Sequence, residues 1–148
     1  MEERERRVGE LLEAYGLLVA AAELGAQRAR KASDPVLRAR WLAIAGARAE
    51  QRDRLLARLS ALGIARPVVP PPAPEAQREI ARLLRADLAT SHALAARCRR
   101  VGRWLQATGD AETGALLERI ASESLAHAAE LARSLAYHYV REARSAAQ

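Results

Sequence analysis

Residues 64–74 read IARPVVPPPAP, a stretch that neither a helix nor a sheet interior accommodates. Each proline lacks the backbone N–H that a helix or a ladder needs, and each pushes its predecessor toward extended geometry. The run splits the chain in two, and its reach decides how the halves can be joined. Helices of about 28 residues are about 42 Å long at 1.5 Å per residue. An extended Pro-rich segment of this size spans about 34 Å at ~3.1 Å per residue. Such a rod can cross from one end of a helical bundle to the other. Short turns at 32–34 and 108–110 fold each half back on itself. The expected topology is therefore two antiparallel helical hairpins joined by a long crossover at 64–74.

The halves are helical by pattern. Ala and Leu dominate the apolar half of the chain, Phe is absent, and β-branched residues are few, which favours an all-α class. A first helix is expected at about 3–31, with Leu11, Tyr15, Leu18 and Ala22 on one face. Ser33-Asp34-Pro35 supplies a capping side chain followed by proline at the first helical position, opening a second helix at 35–62 that Gly63 ends. A third helix at about 75–107 carries Ile80, Leu84, Leu88, Cys98 and Leu105 on one side. Gly109 breaks it, Asp110 caps a fourth, and that helix at 111–142 fades into the polar tail REARSAAQ. At 148 residues the whole chain, 1–148, suits one domain with a real core.

The formal charge is +6, and Lys31 is the one lysine among the basic residues. The arginines are spread over all four helices and interleaved with Glu, without the compact tract or aromatic interleaving of a nucleic-acid surface. Nucleic acid is accordingly not expected as a partner. Cys98 stands alone on an apolar stripe, which suits a small core filler and no disulfide. The N-terminal MEERERRV lacks a signal peptide's apolar stretch, and no apolar run is long enough to span a membrane. A cytoplasmic protein without membrane insertion is expected.

LLRADLATS and TGDAETGALLERIASESLAH resemble the third helix, the third turn and the start of the fourth helix of the bacterioferritins, within the ferritin-like superfamily. The similarity runs without a gap from about Val8 to Leu135 and implies a ferritin-like four-helix bundle. In that register the family's first-helix ligand carboxylate becomes Tyr15. The second-helix Glu-x-x-His becomes Arg48 to Gln51, the third-helix glutamate becomes Ser91, and the fourth-helix Glu-x-x-His becomes Ser124 to His127. A di-iron pair takes inward carboxylates and imidazoles. Of the six positions only His127 keeps a good donor, so it is the weak candidate for any metal and no di-iron centre is expected. The family's haem-binding methionine falls at Ala49, and Met1 is the one Met of the chain, so no cofactor is expected. Glu50, Asp53 and Glu123 read as solvated acids, and His92 as peripheral.

The resemblance implies a non-catalytic structural or interaction protein. It pairs as a homodimer through its first two helices, or co-assembles with another ferritin-like subunit. Tyr15, Arg48, Gln51, Ser91, Ser124 and His127 would then form a central polar layer. That layer is either a satisfied hydrogen-bond network or a pocket for a small anion held by Arg48. The competing reading is a metal-binding oxidoreductase or iron-storage subunit with a non-standard site.

Overall fold

The computed structural model describes residues 2–148, which form four α-helices and, among the described residues, no strand. They are α1 (Glu2–Arg30), α2 (Pro35–Ala61), α3 (Ile80–Ala107) and α4 (Ala111–Ala147). The stop and start signals act as their chemistry dictates. Asp34 accepts a hydrogen bond from Val36 N at 3.0 Å, and Asp110 accepts one from Thr113 N at 3.1 Å. Gly63 and Gly109 adopt φ of +75° and +102°, which lets the next amide, that of Ile64 or Asp110, reach back to Leu59 O or Leu105 O at 2.9 Å.

Two boundaries differ from the sequence expectation. The third helix begins at Ile80 and not near Glu75, because residues 75–79 have stronger partners elsewhere. Arg28 holds the Glu75 carboxylate, Lys31 Nζ takes the carbonyls of Glu75 and Gln77, and the Gln77 side chain accepts from the amides of Arg78 and Glu79. The fourth helix runs on to Ala147, not 142. REARSAA contains no glycine or proline to stop it, and its first residues pack where Tyr137 and Arg141 face the α1–α2 turn.

The helices make a bundle in which α1 packs on α2 and α3, and α4 on α3 and α2. The start of α1 lies against the end of α3, where Arg97 bonds Glu10 at 3.2 Å, and the end of α1 lies against the start of α3, where Arg28 bonds Asp87 at 2.8 Å. The end of α2 meets the start of α4 through Arg58 and Thr113 at 2.8 Å. Helices α3 and α4 approach closely at Gly102 and Gly114: a Cβ on Gly114 would lie 2.6 Å from Gly102 O. No described helix is long and apolar enough to cross a membrane.

The core is in two pieces. One apolar cluster gathers Leu11, Leu18, Leu55, Leu59, Leu105 and Leu117 with their neighbours. The other gathers Leu37, Trp41, Ile44, Leu83, Leu84 and Leu131 toward the opposite end. Between them lies a buried polar layer drawn from all four helices.

Candidate functional site

Heptad-like spacing builds this layer. On α3, Leu84, Asp87, Ser91, Leu94 and Cys98 fall three and four apart, so the stripe that packs the core also turns Asp87 and Ser91 inward. On α1, Ala21, Gly25 and Arg28 do the same, and on α2 the stripe is Trp41, Ile44, Arg48, Gln51 and Leu55.

Asp87 is the centre, and sequence reasoning missed it. It is fully buried at 0% exposure. One carboxylate oxygen accepts from Arg28 Nη1 at 2.8 Å and from Arg48 Nη1 at 3.1 Å, and the other accepts from Trp41 Nε1 at 2.7 Å. Arg48, itself 1% exposed, also donates to Ala21 O at 3.1 Å and to Ser91 Oγ at 2.8 Å. Arg28 completes a two-pronged pair with Glu75 at 2.8 and 2.9 Å. Two guanidiniums thus face two carboxylates. Burial works against the charge on Arg28, but Glu75 and Asp87 together outweigh it and hold the guanidinium pKa above its ordinary value. The Arg28 hydrogen bond chiefly draws Glu75 below the usual carboxylate range.

Gly25 makes room for this arrangement, since a Cβ there would sit 2.6 Å from Arg48 Nη1. The expectation of a small anion at Arg48 is corrected on the same geometry. Both Nη groups already bond protein acceptors, and Asp87 supplies the counter-charge, so an added anion would meet that carboxylate.

The other expected positions divide. Gln51 and Ser124 are buried, but Gln51 Nε2 donates to Glu123 at 2.8 Å and Ser124 turns back to Ile120 O at 2.8 Å. Glu123 is therefore not the solvated acid expected: it is half-buried and also takes Arg54 at 3.2 Å. Tyr15 is buried inside the first apolar cluster, and among the described residues no hydrogen bond joins it to the other five. Glu50, Asp53 and His92 are exposed, and Ala49 is half-buried. Met1 lies outside the described residues.

His127 is half-buried, with its Nδ1 fully enclosed and without a partner among the described residues, as is Gln51 Oε1. Burial, followed by the Arg48 charge, lowers the His127 pKa from 6.5, against smaller opposing effects of Glu130, Glu123 and Asp87. A depressed folded-state pKa means the unfolded chain binds the proton first, so this contribution to stability is present above pH 6.5 and is lost as pH falls below it. Urea midpoints should fall between pH 7 and about 5.5, above the range where the carboxylates titrate. His127→Gln should flatten that slope, and an unchanged slope would place the titration elsewhere.

Among the described residues no three His, Cys, Asp or Glu side chains gather as a metal ion requires. The donors at the six positions do not fit an iron pair, because a guanidinium fills the space and cannot ligate. Cys98 is buried, and desolvation pushes its thiol up to about 12, which makes it a poor nucleophile.

Neither a family model nor a curated protein matches this sequence. A crystal structure of a protein from Xanthomonas campestris pv. campestris is similar over 100% of both chains, with a TM-score of 0.85 at 19% identity, a likeness that shows the fold alone.

Proposed function

We propose that this chain is a non-catalytic ferritin-like protein whose bundle is its product, with an ion-paired layer where relatives of that superfamily would hold iron. The observation that carries the reading is Arg48, buried at the centre and tied to Asp87, Ser91 and Ala21 O. A cation fixed there repels Fe²⁺ and blocks its donors. The end-to-end contacts support the topology. Helices α2 and α3 each run antiparallel to α1, so they are parallel, and the Pro-rich 62–79 segment passes from the Arg58 end of the bundle to the Arg28 end. A long connection of this kind is what the ferritin-like reading requires.

The same reading makes the protein a homodimer through the outer faces of α1 and α2, or a partner subunit of another ferritin-like chain. A shallow groove on that face has small residues at its floor, Ala22, Ala26, Ala45, Gly46 and Ala49, and is edged by Glu23, Arg52 and, from the crossover, Val69 and Pro71. Protein purified from iron-supplemented cells should carry no stoichiometric iron, should not oxidise ferrous ion faster than buffer, and should sediment as a dimer. Stoichiometric iron with ferrous oxidation would favour the metal-dependent oxidoreductase or storage reading, with His127 as the first ligand to replace.

A further inference from the structure

Along the sequence the arginines are dispersed, but the helix ends gather them. Residues 28–40, 75–87 and 130–148 meet at the Arg28 end of the bundle, where Arg28 reaches Glu75 and Asp87, and Asp34 reaches Arg141. They hold 11 basic and 6 acidic residues, so this end carries +5 of the chain's +6. Part of that charge is not neutralised. Arg78 and Arg85, at the start of the second hairpin, and Arg133 and Arg144, toward the end of α4, are exposed and pair with no carboxylate among the described residues.

The exposed aromatic rings are in the same place. Tyr137 and Tyr139 are 43% and 42% exposed, whereas Tyr15 and Trp41 are buried and Trp104 is half-buried against Arg6. Arg85 lies 5.5 Å from the centre of the Tyr139 ring, and Arg141 lies 5.9 Å from that of Tyr137. The Arg85 contact joins α3 to α4, so guanidiniums from both helices flank the rings. Arg133 and Arg144 are about 17 Å apart along α4 at 1.5 Å per residue. A guanidinium offers phosphate oxygens a fork of N–H donors, and a nucleobase stacks on a tyrosine face. An acidic peptide needs the charge but not the rings. An anionic membrane calls for exposed Leu, Phe or Trp beside the arginines, and this surface offers only Val36 and Val140.

We infer that the end of α4, flanked by the start of α3, binds single-stranded nucleic acid, with phosphates on Arg85, Arg133 and Arg144 and bases stacked on Tyr137 and Tyr139. The surface lies off the α1–α2 face, so it is independent of the dimer and of the reading given to the central layer. Binding is reversible, and no bond is made or broken.

The test is the anisotropy of a fluorescent single-stranded oligodeoxynucleotide of about 12 nucleotides, titrated with the full chain. Affinity should fall steeply with salt, its logarithm losing about 0.7 per phosphate contact for each tenfold rise. Arg133→Gln together with Arg144→Gln should reduce that slope by about 1.4. Tyr139→Ser should weaken binding about tenfold and leave the slope unchanged. Arg4→Gln with Arg66→Gln removes the same charge at the opposite end and should change affinity little. All these side chains are exposed, so thermal melts should match the unmodified protein and separate lost binding from lost fold. The assignment is overturned by no binding at about 50 mM salt, or by a control pair that costs as much as Arg133 and Arg144. Duplex DNA, polyglutamate or phosphatidylserine vesicles bound as tightly as the single strand would overturn it too.

Discussion

Asp87→Asn is expected to lower the unfolding free energy by about 3–5 kcal/mol, the usual cost of breaking a buried ion pair from one side. The substitution is nearly isosteric, so packing is preserved and the charge alone is removed. Arg48 would then be a cation at 1% exposure without its counter-ion, while Arg28 keeps Glu75. Asparagine can still accept from Trp41 Nε1, but it also adds two donors to a space already crowded with donors. Arg48→Met should be milder, because Asp87 retains Arg28 and Trp41. Adding Arg48→Met to Asp87→Asn should recover part of the loss, as coupled neighbours do. Urea titrations of the two single variants and the double variant measure each arm. A loss below about 1 kcal/mol for Asp87→Asn would mean that water reaches the layer.

Gly114→Ala is expected to destabilise by about 1–3 kcal/mol through overpacking, although alanine is the better helix former by about 1 kcal/mol. The new Cβ would meet Gly102 O at 2.6 Å and the Gln106 amide at 3.1 Å, and backbone cannot swing aside as a side-chain tip can. The helices must separate, which loosens Leu105 and Leu117 beneath them. Gly9→Ala is the control, for it meets nothing within 4 Å, lies outside the groove of the proposed dimer and should stabilise through helix propensity. Thermal melts of both variants separate steric cost from propensity. If Gly114→Ala melts higher than the unmodified protein, the close approach of α3 and α4 is wrong.

Much of this was readable before the structure. Asp34-Pro35, Gly63 and Gly109-Asp110 act locally, so a helix start or stop could be read from a few residues. The positions Arg48, Gln51, Ser91 and Ser124 were marked by the register of the ferritin-like resemblance. Asp87 escaped because an acid between Ala86 and Leu88 looks like a surface residue when taken singly. Its place in the Leu84–Asp87–Ser91–Leu94 stripe was the available signal. Arg28 was hidden in the same way by its basic neighbours Arg30 and Lys31. The late start of α3 was not readable locally, since it depends on Arg28 and Lys31 from another helix.

A bundle of alanine and leucine is poor at telling one docking position from the next. Slide one helix pair along the other by a turn, about 5.4 Å, and leucine still meets leucine. The divided core removes that freedom. One turn out of place, Asp87 would face hydrocarbon and Arg48 would lose its counter-ion, so the slipped alignment carries two stranded charges and the native one none. Side chains contributing little net stability thereby choose a single alignment, as one coded key does among many blanks that fit the same lock.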